Sequence, residues 1–141
     1  FLMQLFSEYL RRTKNPNFFF NVSVTEMVNY YTINNNLNRY TYNDRSGTKE
    51  DNTFDGCRPS NVCLNDIGLQ TQTFFGQNTK TLVSEFIHAR YEIWTQWNCR
   101  GHLTTNLSVQ ALAKEFSDAY GRTVDRFKSY NIIEMTGTSR R

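Results

Sequence analysis

Five cations crowd the end of the chain. From Gly121 onward, Arg122, Arg126, Lys128, Arg140 and Arg141 stand against only Asp125 and Glu134. Residues 1–79 hold seven Lys or Arg and seven Asp or Glu, so the whole net charge of +3 can be assigned to the second half. Arg outnumbers Lys eleven to five, and its planar guanidinium makes bidentate bonds to phosphate. The chemistry this pattern predicts is phosphate contact. Arg122 and Arg126 are four apart, so on a helix they share a face while Val124 and Phe127 point elsewhere. Lys128 sits at the rim of that face, and Arg140 and Arg141 would lie along a nucleic-acid backbone. An ordinary solvated basic surface accounts for the same residues without a ligand.

Other reactive groups form less complete sets. Cys57, Cys63, Cys99 and His102 are zinc-ligand types. However, the five residues between Cys57 and Cys63 exceed the usual knuckle, and free cysteines also serve as small buried hydrophobes. Asp51 to Gly56 resembles half a calcium loop, but its twelfth position is Val62, where a bidentate acid is needed. Glu85 and His88 make a single i, i+3 pair where a di-iron bundle needs two. No nucleophile elbow, phosphate-binding glycine loop or dinucleotide turn occurs. We therefore expect no catalytic site, no metal and no cofactor, and a chain that is not an enzyme.

The elements that would carry these residues read as helices. Leu2, Leu5, Phe6 and Tyr9 repeat at helical spacing over 1–12, and Thr13 to Asn17 ends that helix at Pro16. Phe18 to Val22 suits a short extended segment. Ser23 and Glu26 fit a capping box for a helix over 24–33, which Asn34 to Asn36 stop. Residues 34–78 carry no sustained helical period and read as an irregular polar arm or loop. A long helix is predicted over 79–98, followed by helices over 108–120 and 123–130. Gly121 is placed as the residue that ends the first of that pair, and Thr123 as the cap of the second. The expected core contains Leu5, Phe6, Val28, Phe86, Ile87, Trp94, Leu112, Phe116 and Phe127.

The last three helices predict a helix-turn-helix-like unit, with 79–98 as support and 122–130 in the major groove. Its turn is longer than the tight form, since Gly121 lies eight residues after Ala113. The fold class expected is mainly α: a small helical bundle with a long irregular centre. It would be divided as 1–33, 34–78 and 79–141, together one domain.

Composition sets the outer bounds. The chain has 141 residues, with 38% hydrophobic and 15% aromatic. Large rings can fill a core that few aliphatics would leave open. No apolar run reaches eighteen residues, so no membrane span is expected. Three cysteines, an odd number, favour a reducing intracellular compartment or a virion over a disulfide scaffold. The chain starts with Phe1 rather than Met, which fits a processed product or a piece of a longer protein. The expected function is nucleic-acid binding, to DNA or RNA, through the basic C-terminal segment. The alternative is a structural or interaction subunit of a large assembly such as a capsid or ribonucleoprotein particle, forming homo- or hetero-oligomers. Its support is the richness in aromatics and Arg that interface cores favour. The central arm would then order on a partner.

Overall fold

A computed structural model describes residues 2–41, 60–68, 73–74 and 76–135. Local chemistry sets most helix boundaries. Helix α1 spans Leu2–Arg12 and leads through a turn to strand β1, Phe19–Ser23. Ser23 then caps α2, Val24–Asn34, its hydroxyl accepting from the Glu26 amide at 3.1 Å. Asn35 closes α2 in the left-handed conformation. A short helix α3, Asn38–Thr41, follows. Strand β2 is Asn61–Asn65, and a small antiparallel pair joins β3, Thr73–Phe74, to β4, Gln77–Asn78. Asn78 caps the long helix α4, Thr79–Trp97, and left-handed Asn98 ends it. Strand β5 is Gly101–Leu103, and Ser108 caps α5, Val109–Glu115. Helix α6 is Arg122–Phe127.

The fold corrects the mainly α expectation. A parallel three-stranded sheet of order β1-β2-β5 organises the molecule, with β2 central, so the class is mixed α/β. The strands missed outright are β2 and the β3–β4 pair, inside the segment read as an irregular arm, and the short β5 after α4. Val62, Cys63 and Leu64 are all buried, because a parallel strand is covered on both faces and does not alternate. At three apolar residues it is also too short to announce itself. The all-helical, bundle-like picture fails for the same reason.

Both crossovers lay their helices on one face. Val22, Val62 and Leu64 meet Val24, Met27 and Val28 of α2, Leu82, Val83, Phe86 and Ile87 of α4, and Phe116. The other face carries a smaller cluster in which Leu10 of α1 packs on Phe19 and Cys63. Helix α1 runs antiparallel to β1: Met3 lies by Asn21, and Ser7 donates to the Phe19 carbonyl. At Gly68, φ of +81° is a conformation that residues with side chains rarely adopt, and a Cβ there would also press on the Leu107 side chain, so the turn after β2 favours glycine.

The expected core is partly corrected. Val28, Phe86, Ile87 and Phe116 are buried, and Leu112 and Phe127 pack partly buried against them. Leu5 is 53% and Phe6 49% exposed, because α1 turns Ser7 and Leu10 inward instead. Trp94 is 43% exposed and lies at the protein surface. Among the described residues, no helix is long and apolar enough to cross a membrane.

Candidate functional site

Two surfaces gather polar and charged side chains. The first lies at the carboxyl ends of the parallel strands. Asn65 at the end of β2 donates from Nδ2 to Asn21 Oδ1 at 3.3 Å. Asn21 in turn donates to the Met3 carbonyl at 3.1 Å. On the other side, Thr104, just past β5, donates from Oγ1 to Asn65 Oδ1 at 3.3 Å. The same hydroxyl accepts from the Asp66 amide at 2.9 Å. One hydrogen-bonded row therefore crosses all three strands and ends at Asp66, an exposed residue with φ of +62°. Because α1 is antiparallel to β1, its N-terminal turn points to this same edge.

Beside this row, burial pushes the Cys63 thiol up to about 12, helped by the Asp66 charge. His102 stacks on Phe19 at 4.8 Å between ring centroids. Burial lowers its pKa, and Arg100 and Arg90 push in the same direction.

The second surface is formed by α4 and α6 and holds the residues expected to contact phosphate. Asp118 organises it. Its Oδ1 accepts from the Tyr120 and Arg122 amides, and its Oδ2 from the Thr123 amide and hydroxyl, at 2.9–3.1 Å. These bonds, led by the Thr123 amide, hold the Asp118 carboxyl well below the usual carboxylate range. Thr123 is fully buried and also meets His88 Nε2 at 3.2 Å. Burial, followed by the Arg126 charge, lowers the pKa of His88. Arg122 lies 5.1 Å from the Tyr120 ring centroid, and Arg126 lies 3.8 Å from that of Tyr91. Tyr91 in turn meets Trp94 edge-on at 5.6 Å.

The structure thus brings Arg122 and Arg126 onto one surface. Lys128 is paired with Asp125 at 2.7 Å. Arg140 and Arg141 lie outside the described residues, as do Cys57 and the calcium-like segment 51–56. The helical pair departs from expectation in detail. Helix α5 stops at Glu115, and Gly121, with φ of +66°, precedes α6 rather than ending α5. Asp118, not Thr123, supplies the cap. Sequence reading passed over Asp118, Tyr91, Tyr120 and the Asn21–Asn65–Thr104 row. An acid four residues before Arg122 was the only local signal for any of them. No group of three or more metal-ligand side chains occurs among the described residues.

A cleft of about 480 Å³ opens at the opposite, amino end of the sheet, lined by Asn15, Asn17, Asn61, Cys99 and Arg100 among others. Helices α1 and α4 present their C-termini there, so its dipoles disfavour anions. Comparison with protein-family models, curated proteins and solved structures finds no match.

Proposed function

We propose that this domain binds a small phosphate-bearing ligand of the nucleotide class at the carboxyl edge of its sheet. The observation that carries this reading is the Asn21–Asn65–Thr104 row, tied through Asn21 to the first turn of α1. Open α/β sheets take ligands outside the carboxyl ends of their strands where the strand order reverses; this sheet runs β1-β2-β5 with both crossovers on one face, so it shares the carboxyl-end placement and not the reversal. That support is an analogy of fold. The physical support is the first turn of α2, which follows directly on β1 and so lies at this edge, where its dipole, partly offset by Glu26, favours an anion. The amides and hydroxyls of the row suit sugar or base groups, and Asp66 suits a hydroxyl or a phosphate-bound cation. The chain has no glycine-rich phosphate loop, so helix amides carry phosphate recognition in this reading. Titration calorimetry with purine nucleotides and with inorganic phosphate tests it. Asn65→Ala should weaken nucleotide binding by roughly tenfold, the scale of one or two hydrogen bonds. Absence of any heat of binding at millimolar ligand would refute the proposal.

A second reading is nucleic-acid binding through the basic C-terminal segment, which the pairing of Arg122 and Arg126 with tyrosine rings favours. Neither Arg forms a salt bridge among the described residues. The combined Arg122→Gln, Arg126→Gln and Lys128→Gln variant should bind DNA or RNA more weakly and with a shallower salt dependence. Because Lys128 is already paired with Asp125, the two arginines should account for most of the change. A folded variant with unchanged affinity and salt slope would remove this segment as the binding site.

A further inference from the structure

We propose that the α4–α6 surface is a stacking platform for single-stranded nucleic acid, with Trp94 and Tyr120 taking bases, Tyr91 backing Arg126, and Arg122 and Arg126 taking phosphates. The inference rests on the nucleic-acid reading above and specifies its ligand. Three observations carry it. The rings and cations form two groups joined through α6, which carries both arginines: Arg126 lies on Tyr91, which meets Trp94, and Arg122 lies beside Tyr120. Two of the rings face solvent, Trp94 at 43% exposure and Tyr120 at 79%. Alternating aromatic faces and unpaired guanidinium groups is the arrangement that single strands use, since every base has a π-face and every linkage a charge.

The geometry also argues against a duplex groove. A recognition helix reads base edges with its N-terminal residues. The amides at the start of α6 are instead held by the Asp118 carboxylate and so are not free to receive a phosphate. Helix α6 has only six residues, about 9 Å of length, and buries Thr123. Asp125 is occupied by Lys128 at the far end. On α4 the remaining charged neighbour is Glu92, since burial and the Arg126 charge lower the pKa of His88 and leave it neutral at pH 7, so the platform's attraction comes from Arg122 and Arg126. Two phosphate contacts predict a log–log salt slope of about −1.4 for a single strand.

The test is fluorescence anisotropy of the intact chain with a labelled oligothymidylate and with a duplex of equal length, alongside intrinsic tryptophan fluorescence. The single strand should bind more tightly and quench tryptophan emission. Tyr120→Ala and Trp94→Ala should each weaken it by roughly tenfold or more. Trp97→Phe should retain the quench and Trp94→Phe should lose it. Circular dichroism and melting curves confirm folding of these surface variants. If the two arginine changes abolish binding while the aromatic variants bind normally without loss of quench, stacking is refuted and the phosphate reading stands. Preference for the duplex also refutes the platform. No binding of either probe refutes both readings.

Discussion

Arg90 is the most demanding single residue. It is 2% exposed, yet no carboxylate neutralises it among the described residues. Its guanidinium donates to three backbone carbonyls instead: Tyr40 at 3.3 Å, Ser60 at 2.7 Å and Arg100 at 3.2 Å. Burial lowers its pKa to about 10, which leaves it charged at neutral pH. It therefore joins α3, the start of β2 and the start of β5 to α4. Arg90→Met keeps the bulk but strips those carbonyls of a donor, and should cost about 3 kcal/mol in urea unfolding. Arg90→Lys should recover only part, because one ammonium cannot reproduce the planar fork. The buried Cys63, with its thiol raised to about 12, should resist alkylation at mildly alkaline pH, while half-buried Cys99 reacts first. Mass mapping of labelled peptides checks the order, and early labelling of Cys63 in folded protein would contradict its placement.

At the scale of elements, the most informative case is α6. Its start is held by one carboxylate making four hydrogen bonds, so the helix depends on the ionisation of Asp118. The Asp118 pKa is lowered from its ordinary 3.8. Its stabilising effect is accordingly complete above that ordinary value and is lost as pH falls through the lower folded value. The Thr123 amide resonance should therefore stay constant down to about pH 4 and move only in stronger acid. A titration of that resonance near neutrality would contradict this cap. Helix α4 shows what burial contributes. Phe86 sits between sheet and helices, and Phe86→Ala should cost about 3–5 kcal/mol through lost burial and the cavity left behind. Helix α1 makes the contrast. Leu5→Ser should change stability by about 0.5 kcal/mol or less if the stripe it belongs to is free in solution, whereas Phe6→Ser also loses the ring contact with Phe19 and should cost about 1 kcal/mol.

At the scale of the whole molecule, that exposed stripe of Leu2, Leu5, Phe6 and Tyr9 is the structural support for the assembly alternative. Light scattering over a range of concentrations checks it. A mass that rises with concentration, and that Leu5→Ser and Phe6→Ser return to the monomer value, would favour assembly; a constant monomer mass would count against self-association. By itself, the sequence determined where α1, α2 and α4 begin and end and where α5 and α6 begin, but not where those last two stop, nor that α3 exists. Ser23 and Ser108 act within three residues of their partners, and apolar spacing repeats within a turn. It also placed Val28, Phe86, Ile87 and Phe116 inside. Only the tertiary structure decided the sheet, because its pairings are remote: Asn65 meets Asn21 across 44 positions and Thr104 across 39. Nothing local marks Val62–Leu64 as central. Its neighbours on both sides come from other parts of the chain, and burial on both faces removes the alternation by which a strand is read. Periodicity showed that α1 has an apolar stripe, but not which way it faces. In the fold Leu10 and Ser7 face the sheet, Leu10 packing on Phe19 and Cys63 and Ser7 bonding the Phe19 carbonyl, while Leu5 and half of Phe6 are left exposed. The Asn21–Asn65–Thr104 row exists only once the three strands lie side by side, for the same reason: its members are local to nothing but each other in the folded chain.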